Sequence, residues 1–443
     1  MIKPTEYKSR RRSFMNQMGE GGIAIIPAAQ ETIRSRDTHF PFRQDSDFSY
    51  LTGFPEPEAI AVLVPGRPQG EFIIFCRDKN LEREIWDGYR EGPDGARENF
   101  GADDAFPIDD MDEILPGLIE GREKVFFSMG KHAELDQHLM QWLKHIRAQA
   151  RSGASAPGEI VDPDHILHEM RLIKSASEIR VMRKAAKISA EAHCLAMQAA
   201  RPGLYEYELQ AEIEYHFARN GAPAPAYSSI VGSGANACVL HYTENRKQVD
   251  DGDLVLIDAG AEYQGYAADI TRTFPVNGRY SDEQKAIYEI VLEAQLAAID
   301  VCKPGARFNE PHEASVRVIT QGLKDLGLLE GQLHELIEKR AYFDFYMHRA
   351  GHWMGLDVHD VGDYKVDGTD SDWREFEPGM VTTIEPGIYI QPNNENVDKR
   401  WRGIGVRIED DILICKEGYE VLTGGVPKTI NDIEALMSRE LVV

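Results

Sequence analysis

The chain has 443 residues, with 49 Lys+Arg against 74 Asp+Glu and a formal net charge of −25. That balance repels phosphate backbones and no basic stripe reverses it, so nucleic acid is excluded as a partner. At 42% hydrophobic residues the chain supports a sizeable core, and no run of eighteen apolar residues offers a membrane span. The first residues, with Arg10, Arg11 and Arg12 close behind, contain no apolar stretch of the secretory kind. Five scattered cysteines (Cys76, Cys194, Cys238, Cys302 and Cys415) form no CxxC pair, so free thiols and a cytoplasmic setting are expected.

Taken in chain order, the first third reads as mixed α/β. Apolar, β-branched runs at residues 23–27, 59–64, 72–75 and 125–127, each near Gly, Pro or charged breakers, predict strands. Apolar residues at 135, 139, 142, 143 and 146 recur at helical spacing. Arg151 to Gly158 is small and flexible in composition and reads as a linker. The expected domains are therefore 1–172 and 173–443. Ser175 and Glu178 then form a capping-box pattern that opens a helix running to about Ala200.

The second domain contains an internal repeat. A helix runs into Arg201-Pro202-Gly203 and another into Lys303-Pro304-Gly305, each followed by a further helical segment. Each pair is succeeded by an apolar strand with one pattern: Gly252 to Gly260 carrying Asp258, and Gly379 to Gly387 carrying Glu385. Gly matches Gly, carboxylate matches carboxylate, and Gly recurs two residues later. A duplicated α/β unit places its two special carboxylates face to face across a pseudo-two-fold axis.

Asp258 follows Leu-Val-Leu-Ile, and Asp269 lies in the strand-like stretch 266–274, with Gly260 and Gly265 between them. A hairpin there brings both carboxylates together. Glu385 and Glu409 are likewise embedded in apolar strand sequence, where an ionised carboxylate is costly unless paired or metal-bound. Taken singly, each acid reads equally as a turn former or as the partner of an arginine such as Arg272 or Arg407. Taken together, like charges about 4 Å apart repel by several kcal/mol at an effective dielectric near 20, and shared divalent cations remove that repulsion. His348, His352 and His359 fall within twelve positions, among Gly351, Gly355 and Gly362, which predicts a loop or irregular strand. His241 is a further isolated imidazole. Four carboxylates with one histidine suit manganese or a similar hard ion better than structural zinc.

The ordered set Asp258, Asp269, His352, Glu385 and Glu409 resembles the dinuclear metal site of the creatinase/aminopeptidase "pita-bread" hydrolases, over roughly residues 173–437. His348 to Gly362, Thr383-Ile-Glu-Pro-Gly387 and Gly405-Val-Arg-Ile-Glu-Asp-Asp411 look most like the aminopeptidase P branch. Residues 35–53 resemble that branch's N-terminal domain, which methionine aminopeptidases lack. The fold class implied is α/β (α+β), a mixed α/β N-terminal domain followed by a duplicated pita-bread catalytic domain. Arg349 departs from the small residues expected between His348 and His352.

The resemblance implies two divalent ions per chain, most readily Mn²⁺, with Asp269 and Glu409 bridging, Asp258 on one ion, and His352 and Glu385 on the other. It implies hydrolysis of peptides carrying Xaa-Pro at the N-terminus, by attack of a hydroxide bridging the two ions. Glu385 is then the acid/base. His241, His348 and His359 surround the substrate, with His359 near the oxyanion and His348 toward the proline. Arg407 orients a carboxylate, and Asp37 pairs with it from the N-terminal domain. A homo-oligomer, dimer or tetramer, is implied as well. Two other readings stay open on the sequence: a prolidase confined to Xaa-Pro dipeptides, and an inactive peptide-binding homologue.

Overall fold

In the computed structural model, which describes residues 2–366 and 372–439, the apolar runs of the first third become strands. These are β1 (Gly22–Pro27), β2 (Ile33–Ser35), β3 (Thr38–His39), β4 (Ile60–Leu63), β5 (Phe72–Cys76), β6 (Asp104–Pro107), β7 (Lys124–Phe126) and β8 (Glu159–Val161). Six form one sheet in the order β6-β5-β4-β1-β7-β8, antiparallel through β5, β4 and β1 and parallel on both flanks. The helix Ala133–Ala148 buries Leu135, Leu139, Trp142, Leu143 and Ile146, the positions its periodicity picks out, in a core with Ile25, Val62, Phe75 and Val125. β6 and β8 have no apolar run because they are the sheet's half-solvated edges: only Ala105 of β6 is buried, and no residue of β8 is. The small residues 151–158 connect that helix to β8 within this unit, with Ala154 and Ala156 packed on its core. Two compact units divide between Met170 and Arg171.

In the second unit the helix Ala176–Ala199 starts from the expected capping box. Ser175 Oγ accepts from the Ser177 and Glu178 N–H groups, and Glu178 accepts from the Ser175 N–H at 2.9 Å. Helix Glu206–Arg219 follows. The same order returns in Asp282–Asp300, opened by a capping box of Ser281 and Gln284, and Glu310–Asp325. The strands are β9 (Ala224–Pro225), β10 (Ile230–Ser233), β11 (Leu254–Asp258), β12 (Ala261–Tyr263), β13 (Tyr266–Ala267), β14 (Thr271–Pro275), β15 (Val381–Ile384), β16 (Gly387–Tyr389), β17 (Gly405–Arg407), β18 (Asp410–Ile414) and β19 (Tyr419–Val421).

Each helix pair precedes an antiparallel three-stranded sheet, β10-β11-β14 in the first repeat and β15-β18-β19 in the second. Asp258 pairs opposite Thr271, and Ile384 opposite Asp410. Gly252 and Gly379 introduce β11 and β15 at φ 88° and 98°, a left-handed backbone that favours glycine in both halves. The hairpin expected between Asp258 and Asp269 is present, with β12 and β13 as its tip and β14 returning along β11. Among the described residues no helix is long and apolar enough to cross a membrane.

Candidate metal centre and substrate pocket

The four acids sit where strands end. Asp258 closes β11, Asp269 lies between β13 and β14, Glu385 between β15 and β16, and Glu409 between β17 and β18. Asp258, Asp269 and Glu409 are only 8%, 5% and 2% exposed, so their charge has little water to stabilise it. With Glu385 and with His241, His348, His352, His359 and Arg407 they line a single cavity of about 460 Å³. Asp37 belongs to the N-terminal unit, exposed in the turn between β2 and β3.

Local geometry explains the convergence. A Cβ on Gly351 would lie 1.9 Å from the Thr383 carbonyl oxygen, so glycine is what lets the histidine loop run against β15. The Thr383 N–H donates to the His352 carbonyl at 2.9 Å and the Glu385 N–H to the Ala350 carbonyl at 2.7 Å. These bonds set His352 beside Glu385. His352 Nδ1–H donates to the Trp353 carbonyl at 2.9 Å, which turns Nε2 toward Asp269 Oδ2 at 3.5 Å and Glu385 Oε1 at 3.8 Å. Ligand atoms of Asp269, His352 and Glu409 all lie within 4.8 Å of one another.

The electrostatics call for cations. Burial raises the Asp269 carboxyl, and Asp258 raises it further. Burial, then Asp269 and Glu385, drive Glu409 well above the carboxylate range. Burial pushes Glu385 up to about 7 against the pull of His352 and Arg407. Burial would lower His352, but Asp269 and Glu385 outweigh it and carry the imidazole up to about 9. Tyr227 Oη lies 2.6 Å from Asp258 Oδ1 and 2.5 Å from Asp269 Oδ1, and its single proton cannot serve both ionised groups. A shared divalent cation satisfies this donor set, so the residues fit a metal pair.

A hydrogen-bond relay surrounds the acids. Arg407 donates to Asp258 Oδ2 at 2.6 Å, to Tyr389 Oη at 3.0 Å and, through Nε, to Thr271 Oγ1 at 3.2 Å. Thr271 donates onward to Glu409 Oε2 at 2.6 Å. Tyr389 donates to His348 Nε2 at 2.8 Å, and His348 Nδ1–H donates to the Arg349 carbonyl at 2.8 Å. Burial and then Arg407 lower His348 to about 3, so its ring is neutral. His359 packs edge to face on His352, with centroids 4.4 Å apart, and burial followed by His352 and His241 lowers its pKa. Tyr227, Thr271 and Tyr389 escape sequence reasoning, because tyrosine and threonine beside apolar strands read as ordinary β-formers.

A duplicated α/β unit that gathers four strand-end carboxylates and four imidazoles in a shared cavity, with His352 in ligand reach of the acids, defines a metallopeptidase. The chain belongs to metallopeptidase family M24, whose pattern matches residues 180–416, and residues 7–127 match the aminopeptidase P N-terminal domain. Its relatives include the Xaa-Pro aminopeptidase of Escherichia coli (strain K12), 46% identical over 98% of this chain and 98% of that one. The Xaa-Pro aminopeptidase of Haemophilus influenzae is 44% identical over 98% of this chain and 97% of its own length. Among solved structures, an aminopeptidase of Pseudomonas aeruginosa superposes with a TM-score of 0.97 at 60% identity, covering 99% of this chain and 98% of that one. A zinc-substituted Escherichia coli aminopeptidase P in complex with product gives 0.95 at 47% identity, with 98% of each chain covered.

Proposed function

We infer that the chain is an Xaa-Pro aminopeptidase, a metal-dependent exopeptidase that releases the N-terminal residue from peptides with proline in second position. The observation that carries this reading is the gathering of four carboxylates and His352 into one cavity. Asp258, Asp269, His352, Glu385 and Glu409 would hold two divalent ions, for which Mn²⁺ is the proposed species. Such ions, when bound, polarise a carbonyl and make water nucleophilic at neutral pH.

The remaining chemistry belongs to the chain. Glu385 takes a proton from water at its carboxylate and returns it to the leaving nitrogen. That nitrogen is tertiary and offers no N–H to an acceptor. His359 donates an N–H toward the carbonyl oxygen as negative charge develops there. Neutral His348, held by Tyr389, and His241 flank the proline ring. Arg407 orients Asp258 directly and Glu409 through Thr271. The acidic wall near Asp258 receives the substrate's α-ammonium group.

A homo-oligomer in the cytoplasm completes the proposal. Leu81, Ile85, Trp86 and Tyr89, all more than three-quarters exposed around one short helix, support association, and five unpaired cysteines support a reducing compartment. The test of activity is kcat/KM for Ala-Pro, Ala-Pro-Ala and acetyl-Ala-Pro-Ala after chelation and Mn²⁺ add-back. Metal-dependent cleavage of the tripeptide, lost on acetylation, is expected. Cleavage confined to the dipeptide makes the enzyme a prolidase, and undiminished cleavage of the acetylated peptide excludes an exopeptidase.

A further inference from the structure

A second cavity, of about 890 Å³, opens from the catalytic one and shares Arg349, Gly351 and His352 with it. Its other walls are the aromatic rings of Phe308, Tyr364 and Trp373, with Lys365 and the carboxylate Asp363. Arg349 stands at the mouth between the two. Its guanidinium lies over the Trp373 ring, 4.4 Å from the centroid, and donates through Nη2 to the Asn309 side-chain oxygen. Both partners are uncharged, while Glu313, which accepts from Asn309 Nδ2, acts on the guanidinium electrostatically. Lys365 Nζ lies 5.0 Å from the same ring, so a second cation is brought to the same wall. An arginine held flat by an aromatic face and an amide keeps its remaining N–H groups in a fork suited to a carboxylate.

We propose that Arg349, seated on Trp373 and Asn309, reads a carboxylate on the residue that follows the proline. The proposal rests on the aminopeptidase reading above. A peptide advances about 3.5 Å per residue, so a substrate lying past His348 carries its next residue along the Arg349 wall into the second cavity. The carboxylate has two sources, the C-terminus of a tripeptide or an acidic side chain in a longer peptide. In either case the site favours substrates with negative charge just after Xaa-Pro, and the arginine inserted beside His348 is a specificity residue.

The experiment compares kcat/KM for Ala-Pro-Ala with Ala-Pro-Ala-amide, and for Ala-Pro-Asp-amide with Ala-Pro-Asn-amide, in the Mn²⁺-loaded wild type, Arg349→Gln and Arg349→Lys. A half-exposed charge-assisted pair predicts a wild-type acid-to-neutral ratio of about five- to ten-fold in at least one comparison. The comparison that shows it identifies the source. The ratio falls to about one in Arg349→Gln and is partly kept in Arg349→Lys, which retains the charge but not the fork. A ratio does not depend on the fraction of active enzyme, so partial misfolding cannot imitate the result. Wild-type ratios near one, or a ratio that survives Arg349→Gln, overturn the role of Arg349 while leaving the peptidase intact. Failure to cleave any of the four peptides overturns the aminopeptidase reading itself, and this proposal with it.

Discussion

Asp360→Ala probes how the loop bearing His352 and His359 is held in place. The Asp360 carboxylate lies 3.0 Å from Lys174 Nζ and 2.6 Å from Arg171 Nη2, and the three side chains are 1%, 1% and 3% exposed respectively. Burial alone would raise Asp360, but Lys174 and Arg171 outweigh it and hold the carboxyl below its ordinary range. The Asp360 N–H also donates to the Trp353 carbonyl at 2.9 Å, which closes the loop on itself. Removing the carboxylate leaves Arg171 with Asp357 at 2.7 Å, but strips Lys174 of its carboxylate partner among the described residues. An uncompensated buried charge costs about 3–5 kcal/mol. The expected loss is therefore about 3–5 kcal/mol at pH 7.5, measured by urea unfolding. Adding Lys174→Met to Asp360→Ala removes the stranded group and recovers about 2 kcal/mol. A single variant that loses less than 1 kcal/mol, or a double variant no more stable than the single, would refute the reasoning.

Three further outcomes are expected. His359→Ala lowers kcat by about 10²-fold, the usual cost of one oxyanion donor, with metal content by elemental analysis unchanged; a parallel fall in metal would make His359 a ligand. Glu385→Ala loses more turnover than His241→Ala, since acid–base assistance alone is worth about 10²–10⁴-fold; equal small losses would contradict the ranking. His193 is fully enclosed, with Nε2 2.9 Å from the Ala259 carbonyl oxygen, and burial lowers its pKa from 6.5 to about 4. The unfolded chain takes that proton first as pH falls, so His193 withdraws about 3 kcal/mol of stability between pH 6.5 and 4. A folded His193→Gln variant has a shallower acid limb in unfolding free energy against pH, and an unchanged slope would remove the assignment.

Local physics made much of this protein legible in its sequence. The five apolar positions of the helix Ala133–Ala148, the Ser175–Glu178 capping box and the glycines before β11 and β15 are short-range signals, and each has one structural meaning that survives folding. The duplicated strand pattern announced two equivalent carboxylates, and charge in apolar sequence announced that something must neutralise them. Edge strands β6 and β8 carry no such signal, because half their surface is solvent. The relay from Arg407 through Tyr389 to His348 carries none either, nor does Tyr227 between Asp258 and Asp269 or Lys174 beneath Asp360. These groups meet only after strands distant in the chain have paired. Their partners are chosen by burial, where a polar atom must find whichever complement the packing brings within about 3 Å. Sequence thus determined which chemistry the chain carries, and tertiary structure decided which atoms hold it in place.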